Sequence, residues 1–179
     1  MNCLVTVEEI QQLIGINLSH KDDVYFRQYI SRAQIEDLKP LLGDRLFADI
    51  NKNPEATTNG SYPNLLNEFE YVDGSYEYIS YGLKTVIAYF AVAHYRFDGQ
   101  EIDTPYGFAE VEAGNLQKSS RERNREMSQY YKNLGFSYWD TVRDYLQRKT
   151  DEYKLWYGDQ PPEWDNSNKR NTVQSVSLW

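Results

Sequence analysis

The side chains of this 179-residue chain that are able to serve as acid, base or metal ligand are few in kind: two histidines, His20 and His94, one cysteine, Cys3, and adjacent carboxylates such as Glu8-Glu9, Asp22-Asp23 and Glu36-Asp37. His94 falls on the apolar face of a strongly helical stretch. There a core histidine bonded to a Tyr or a backbone carbonyl is the ordinary arrangement, and a catalytic base or ligand is the alternative. No cysteine or carboxylate stands at metal-ligand spacing from it along the sequence. The acid pairs suit acid–base work only if folding carries one into an apolar cleft, whereas solvation at helix starts or on polar faces accounts for all three. Asp98-Gly99-Gln100-Glu101-Ile102-Asp103 lacks the alternating ligands and closing Glu of a calcium loop and reads as a helix-ending turn. No phosphate-cradling glycine loop, Gly-x-Ser-x-Gly elbow or His-Glu-x-x-His helix occurs. Enzymatic activity, a cofactor and a metal are therefore not expected.

Binding chemistry is better represented. Arg121, Arg123 and Arg125 place positive charge in the first turns of a helix, where the helix field opposes it. Either local pairing with Glu122 and Glu126 offsets this, or the arginines meet an acidic surface on a partner. Sixteen Tyr, seven Phe and four Trp supply large contact area with polar handles. Tyr130, Tyr131, Tyr138, Trp139, Tyr145, Tyr153, Trp156 and Tyr157 wrap more than one face of the last helix. A core needs one stripe, so the surplus forms an intersubunit surface or packs under loops and tail.

The net charge of −8 is unevenly spread. Residues 1–118 carry 9 basic and 18 acidic side chains, residues 119–157 carry 8 and 6, and residues 158–179 carry 2 and 3. A whole surface that grips nucleic acid is thereby excluded, since phosphate binding rests on clustered Lys and Arg. One cysteine permits no intrachain disulfide, and a reducing compartment is expected. The longest apolar stretch, Leu83 to Tyr95, is too short to span a bilayer, and no signal peptide or membrane insertion is expected.

The elements that must position these groups follow from periodicity. Thr6-Val7-Glu8-Glu9 is a capping box opening a short helix to about Leu13, ended near Gly15. Asp22 or Asp23 caps a longer helix carrying Phe26, Ile30, Ala33, Leu38 and Leu41, with a break or kink expected at Pro40. Asp44 caps a further turn through Ile50. Residues 51–63 form a surface loop, and Pro63 starts a short helix over Asn64 to Tyr71. After Asp73-Gly74-Ser75 comes a helix with Ile79, Leu83, Val86, Ile87, Phe90, His94 and Phe97 on one face. Its opposite face is apolar too, which belongs at the centre of a bundle. Residues 102–116 read as an extended arm or small hairpin containing Tyr106 and Phe108. Ser119-Ser120 opens a long final helix expected to end near Gly158, with Gly135 marking a kink or a close packing contact. The fold class is thus mainly α: a helical-bundle domain over residues 1–158 and an extended tail over residues 159–179. Trp164, Val176, Leu178 and Trp179 make that tail a docking segment.

Ile30-Ser-Arg-Ala-Gln-Ile-Glu-Asp-Leu-Lys-Pro-Leu-Leu-Gly43, Thr104-Pro-Tyr-Gly107 and the long helix ending in Asp151-Glu-Tyr-Lys-Leu-Trp156 resemble head-to-tail connector proteins of tailed bacteriophages of the crAss-like, Bacteroides-infecting kind. The resemblance spans residues 5–157. It implies a helical adaptor, made in the bacterial cytoplasm, that forms a ring of about twelve copies beneath the portal with head-to-tail contacts between neighbours. Its partners would be further copies of itself, the portal protein and the next tail or ring protein. Arms and tails reach such neighbours, which implicates Tyr106, Phe108, Arg121, Arg123, Arg125, Trp164, Val176, Leu178 and Trp179. The tail is longer than in relatives that stop soon after the Leu-Trp pair. An acidic lumen would let DNA pass without binding. A helical peptide- or protein-binding module that forms no ring is the alternative.

Overall fold

Thr6 begins the first helix as its capping box requires. Its hydroxyl accepts from the Glu9 amide while the Glu9 carboxylate accepts from the Thr6 amide, and Gly15, at φ 69°, closes helix α1 (Val7–Ile14). The computed structural model describes residues 3–16, 22–58, 60–98, 103–104, 107–108 and 121–157. Helix α2 (Asp22–Arg32) then runs directly into a π-helical segment, Ala33–Leu38, and on into α3 (Lys39–Leu42). The expected break at Pro40 is therefore absent. Lys39 donates to the Gln34 carbonyl, five residues back, and the wider turn accommodates a proline that has no N–H to give.

Helix α4 (Asp44–Lys52) has Gly43 at its N-cap, with Asp44 in the first turn rather than at the cap. Helix α5 (Tyr62–Leu66) is shorter than expected, because the chain from Phe69 onward is not helical. Strands β1 (Phe69–Asp73) and β2 (Tyr76–Ser80) pair antiparallel, with Phe69 opposite Ser80 and Asp73 opposite Tyr76. This hairpin corrects the sequence reading of residues 64–71 as helix and of Ile79 as a helical core position. Gly74, at φ 64°, supplies the left-handed residue that a two-residue hairpin turn demands. Tyr and β-branched neighbours suit a half-covered sheet better than a helix.

Helix α6 (Gly82–Asp98) is the centre of the bundle. Leu83, Val86, Ile87, Phe90, Ala91 and Val92 are buried, and the helix touches α1, α2, the π-helical segment, α5 and α7 (Arg121–Arg148). An element covered on every side has no face to give to water, hence its apolar composition all round. Phe97, expected on the buried face, is 59% exposed in the last turn of the helix.

Helix α7 packs along α6 and runs unbroken through Gly135. A methyl group there would come within 2.6 Å of the Phe90 ring, so Gly135 is a close contact between the two helices. The helix ends at Arg148, ten residues before the expected stop at Gly158. A turn over Lys149–Glu152 leads into α8 (Lys154–Tyr157). Folding back lets Tyr153 reach Tyr145 and the Ser61 carbonyl, and Trp156 reach the Leu41 carbonyl, so the aromatic period continues although the helix does not. In the expected arm, β3 (Asp103–Thr104) and β4 (Gly107–Phe108) form a minimal antiparallel ladder.

Candidate functional site

Folding gathers the chain's titratable groups in a way that sequence spacing did not show. The π-helical segment turns Asp37 inward, where its Oδ2 lies 2.6 Å from Nε2 of His94 on α6 and its Oδ1 lies 3.2 Å from Nζ of Lys132 on α7. The Asp37 side chain is only 7% exposed. Burial by itself drives its carboxyl upward, but the His94 hydrogen bond and the charges of His94 and Lys132 outweigh that and hold it below the usual range. Asp37 thus corrects the expectation that Glu36-Asp37 lies on a solvated face, and His94 has a carboxylate partner rather than a Tyr or a carbonyl. Beside them Arg32 pairs with Glu36 and with Asp98, and Gln34, fully buried, accepts from the Leu4 amide at 2.9 Å. These polar contacts tie the N-terminus, the π-helical segment, α6 and α7 together. Glu9 also leaves the solvated class, since its carboxylate receives Lys84 of α6 at 2.8 Å. Among the described residues, no group of three or more His, Cys, Asp or Glu is placed to hold a metal ion.

The surface carries the other half of the chemistry. The hairpin lays Phe69 and Tyr71 against Tyr145, with ring centroids 4.8 and 4.9 Å apart, and Ser80 is buried beneath it. Arg148 fastens the tip, 2.6 Å from Asp73 and 4.1 Å above the Tyr78 ring. Strand alternation then turns Glu70, Val72, Glu77 and Ile79 to the opposite face. Val72 is 62% and Ile79 44% exposed, so this outer face combines two uncovered aliphatic groups with two exposed acids. Among the described residues neither Glu70 nor Glu77 has an ion-pair partner.

The aromatics of α7 and α8 divide. Trp139, Tyr145, Tyr153 and Trp156 are buried, which gives them to the core and corrects their place in a candidate intersubunit surface. Tyr138 stacks on Tyr89 at 4.8 Å, and Tyr131 lies half-buried beside the same ring. Burial together with the Tyr138 hydrogen bond pushes Tyr89 up to about 12. Tyr130 keeps more than half its surface in solvent. Of the predicted docking residues, Arg125 is exposed, Arg121 and Arg123 occupy the first turn of α7, and Phe108 sits in β4. Tyr106, Trp164, Val176, Leu178 and Trp179 lie outside the described residues. The hairpin's outer face was missed, although Asp73-Gly74 between Tyr- and Val-containing runs is a hairpin signal.

No helix among the described residues is long and apolar enough to cross a membrane. The fold defines a mainly helical bundle with a surface hairpin and an internal ionic cluster. The chain belongs to the Family of unknown function (DUF6712), whose model matches residues 38–172, from the end of the π-helical segment past α8. No curated protein and no solved structure matches the chain.

Proposed function

We propose that this chain is a structural virion protein, a subunit that assembles with copies of itself into a ring at the portal vertex, joins head to tail and leaves a channel for DNA. The observation that carries the proposal is the hairpin's outer face, where Val72 and Ile79 stand uncovered between Glu70 and Glu77 on a two-stranded sheet. Two strands alone are marginal, and an exposed sheet face with apolar side chains calls for a covering partner. Two further features support it. The resemblance to phage connectors supplies the ring, the portal and the passage of DNA, and the net charge of −8 suits a lumen that must not hold phosphate. The groups best suited to proton transfer, Asp37 and His94, are engaged in holding helices together.

Sedimentation velocity and negative-stain electron microscopy of the purified chain test this directly. The expected result is a closed ring that does not retard duplex DNA. A chain that stays monomeric over the whole accessible concentration range would overturn the proposal.

A further inference from the structure

The hairpin is open at its edges as well as on its outer face. Strands β1 and β2 make a sheet of two, and among the described residues no backbone hydrogen bond joins an outer edge to another element. Each strand therefore keeps a row of amide and carbonyl groups without a ladder partner. On the outer face Val72 lies opposite Glu77 and Ile79 opposite Glu70, so aliphatic and acid alternate across the pair. A covering segment has to bring extended backbone, aliphatic side chains and positive charge together. Residues 166–179, outside the described residues, have that composition: Asn-Ser-Asn-Lys-Arg-Asn-Thr-Val-Gln-Ser-Val-Ser-Leu-Trp holds two cations, no acid, no Pro and no Gly. In extended backbone Arg170, Thr172, Val176 and Leu178 share one side, because alternate residues point the same way. The chain also departs for this segment from beside a hairpin. Tyr145 lies 4.9 Å from Tyr71 and 5.6 Å from Tyr153, and α8 begins at the next residue.

We infer that residues 166–179 of one copy add as a third strand to the β1–β2 hairpin of the next. Resting on the proposed ring, this names the contact that joins its subunits. Ladder hydrogen bonds supply the adhesion, while Val176 and Leu178 come beside Val72 and Ile79, and Lys169 and Arg170 meet Glu70 and Glu77. The acids gain the partners they lack in the single chain, and the hairpin gains the support that two strands lack. Residues 158–165 form the link, with a reach of about 28 Å. Within it Gln160 and Pro161 each precede a proline and are biased to extended backbone, which opposes reversal onto the parent hairpin and directs the segment to a neighbour. The arriving segment and the receiving edge are different surfaces. Their contact is heterologous, so it propagates head to tail and closes if the rotation per subunit allows.

Two full-length variants test this contact. Val176→Asp with Leu178→Asp alters the arriving segment, and Glu70→Lys with Glu77→Lys alters the receiving face. Each is expected to keep the melting temperature of the wild type and to weaken self-association by about tenfold or more in sedimentation velocity, the scale carried by close interfacial charge pairs. Mixed in equal amounts, they retain one intact contact, the segment of the second variant on the hairpin of the first. Native mass spectrometry should then show a 1:1 complex that neither forms alone. Hydrogen exchange adds a measurement that leaves the hairpin sequence untouched: edge amides of β1 or β2 should exchange faster in the Val176→Asp, Leu178→Asp variant than in the wild type, while those of α6 stay the same. Self-association of either variant at wild-type strength, equal exchange at the hairpin, or a mixture without the 1:1 complex, as when each segment lies on its own hairpin, overturns the inference and leaves the ring proposal standing. A monomeric wild type overturns both.

Discussion

Replacing Asp37 with Asn tests how the internal ionic cluster holds the bundle. The substitution keeps the shape and one hydrogen-bonding oxygen but removes the charge facing His94 at 2.6 Å and Lys132 at 3.2 Å. Breaking a buried pair by removing one partner costs about 3–5 kcal/mol where the orphaned charge stays buried. Lys132, 41% exposed, can return to water, so the lower end applies. A loss of about 3 kcal/mol is expected, which lowers the melting midpoint of a domain this size by about 6–12 °C. The pH dependence has a definite sign. Because the folded carboxyl lies below its ordinary value, its contribution is present above the unfolded carboxylate range, near pH 4, and is lost as pH falls through the folded value. The gap between wild type and variant should therefore be full at neutral pH and shrink below about pH 4. Thermal melts followed by circular dichroism at several pH values check this. Equal midpoints at neutral pH, or a gap that persists unchanged in acid, would show that Asp37 does not act as a buried anion.

Gly135→Ala should gain about 1 kcal/mol of helix propensity yet lose more to overpacking, because the added methyl meets the buried Phe90 ring at 2.6 Å; a lower melting midpoint that Phe90→Leu partly restores is expected, and a stabilised variant would refute the contact. Arg148→Ala removes both the bond to Asp73 and the contact over Tyr78, so the amides of β1 and β2 should exchange hydrogen faster while those of α6 keep their protection; equal exchange in the hairpin would mean that Phe69 and Tyr71 alone hold it. Ending the chain after Gly158 should preserve helical ellipticity, since the described core closes with Trp156, while preventing incorporation into the ring; a collapse of helicity would place the tail in the core.

Local rules written in short stretches of sequence determined much of this protein. The Thr6 capping box, the Gly15 stop and the all-round apolar character of Leu83–Val92 each depend on one helix and its immediate neighbours. Where two local signals competed, tertiary packing decided. Pro40 argued for a break, yet Leu38 and Leu42 are both fully buried, and a π-turn keeps the helix on course to bury them. Residues 69–80 carry apolar groups readable in either period, and only the docking of Phe69 and Tyr71 on Tyr145 selects the strand. The ionic cluster was invisible because Asp37, His94 and Lys132 are far apart in sequence, and no spacing rule links residues on three elements. The candidate surface was legible in sign but not in place. The acids and apolar groups of residues 69–80 are plain in the sequence, and the docking of Phe69 and Tyr71 against Tyr145 alone turns Glu70, Val72, Glu77 and Ile79 outward, because alternate residues of a strand face opposite ways.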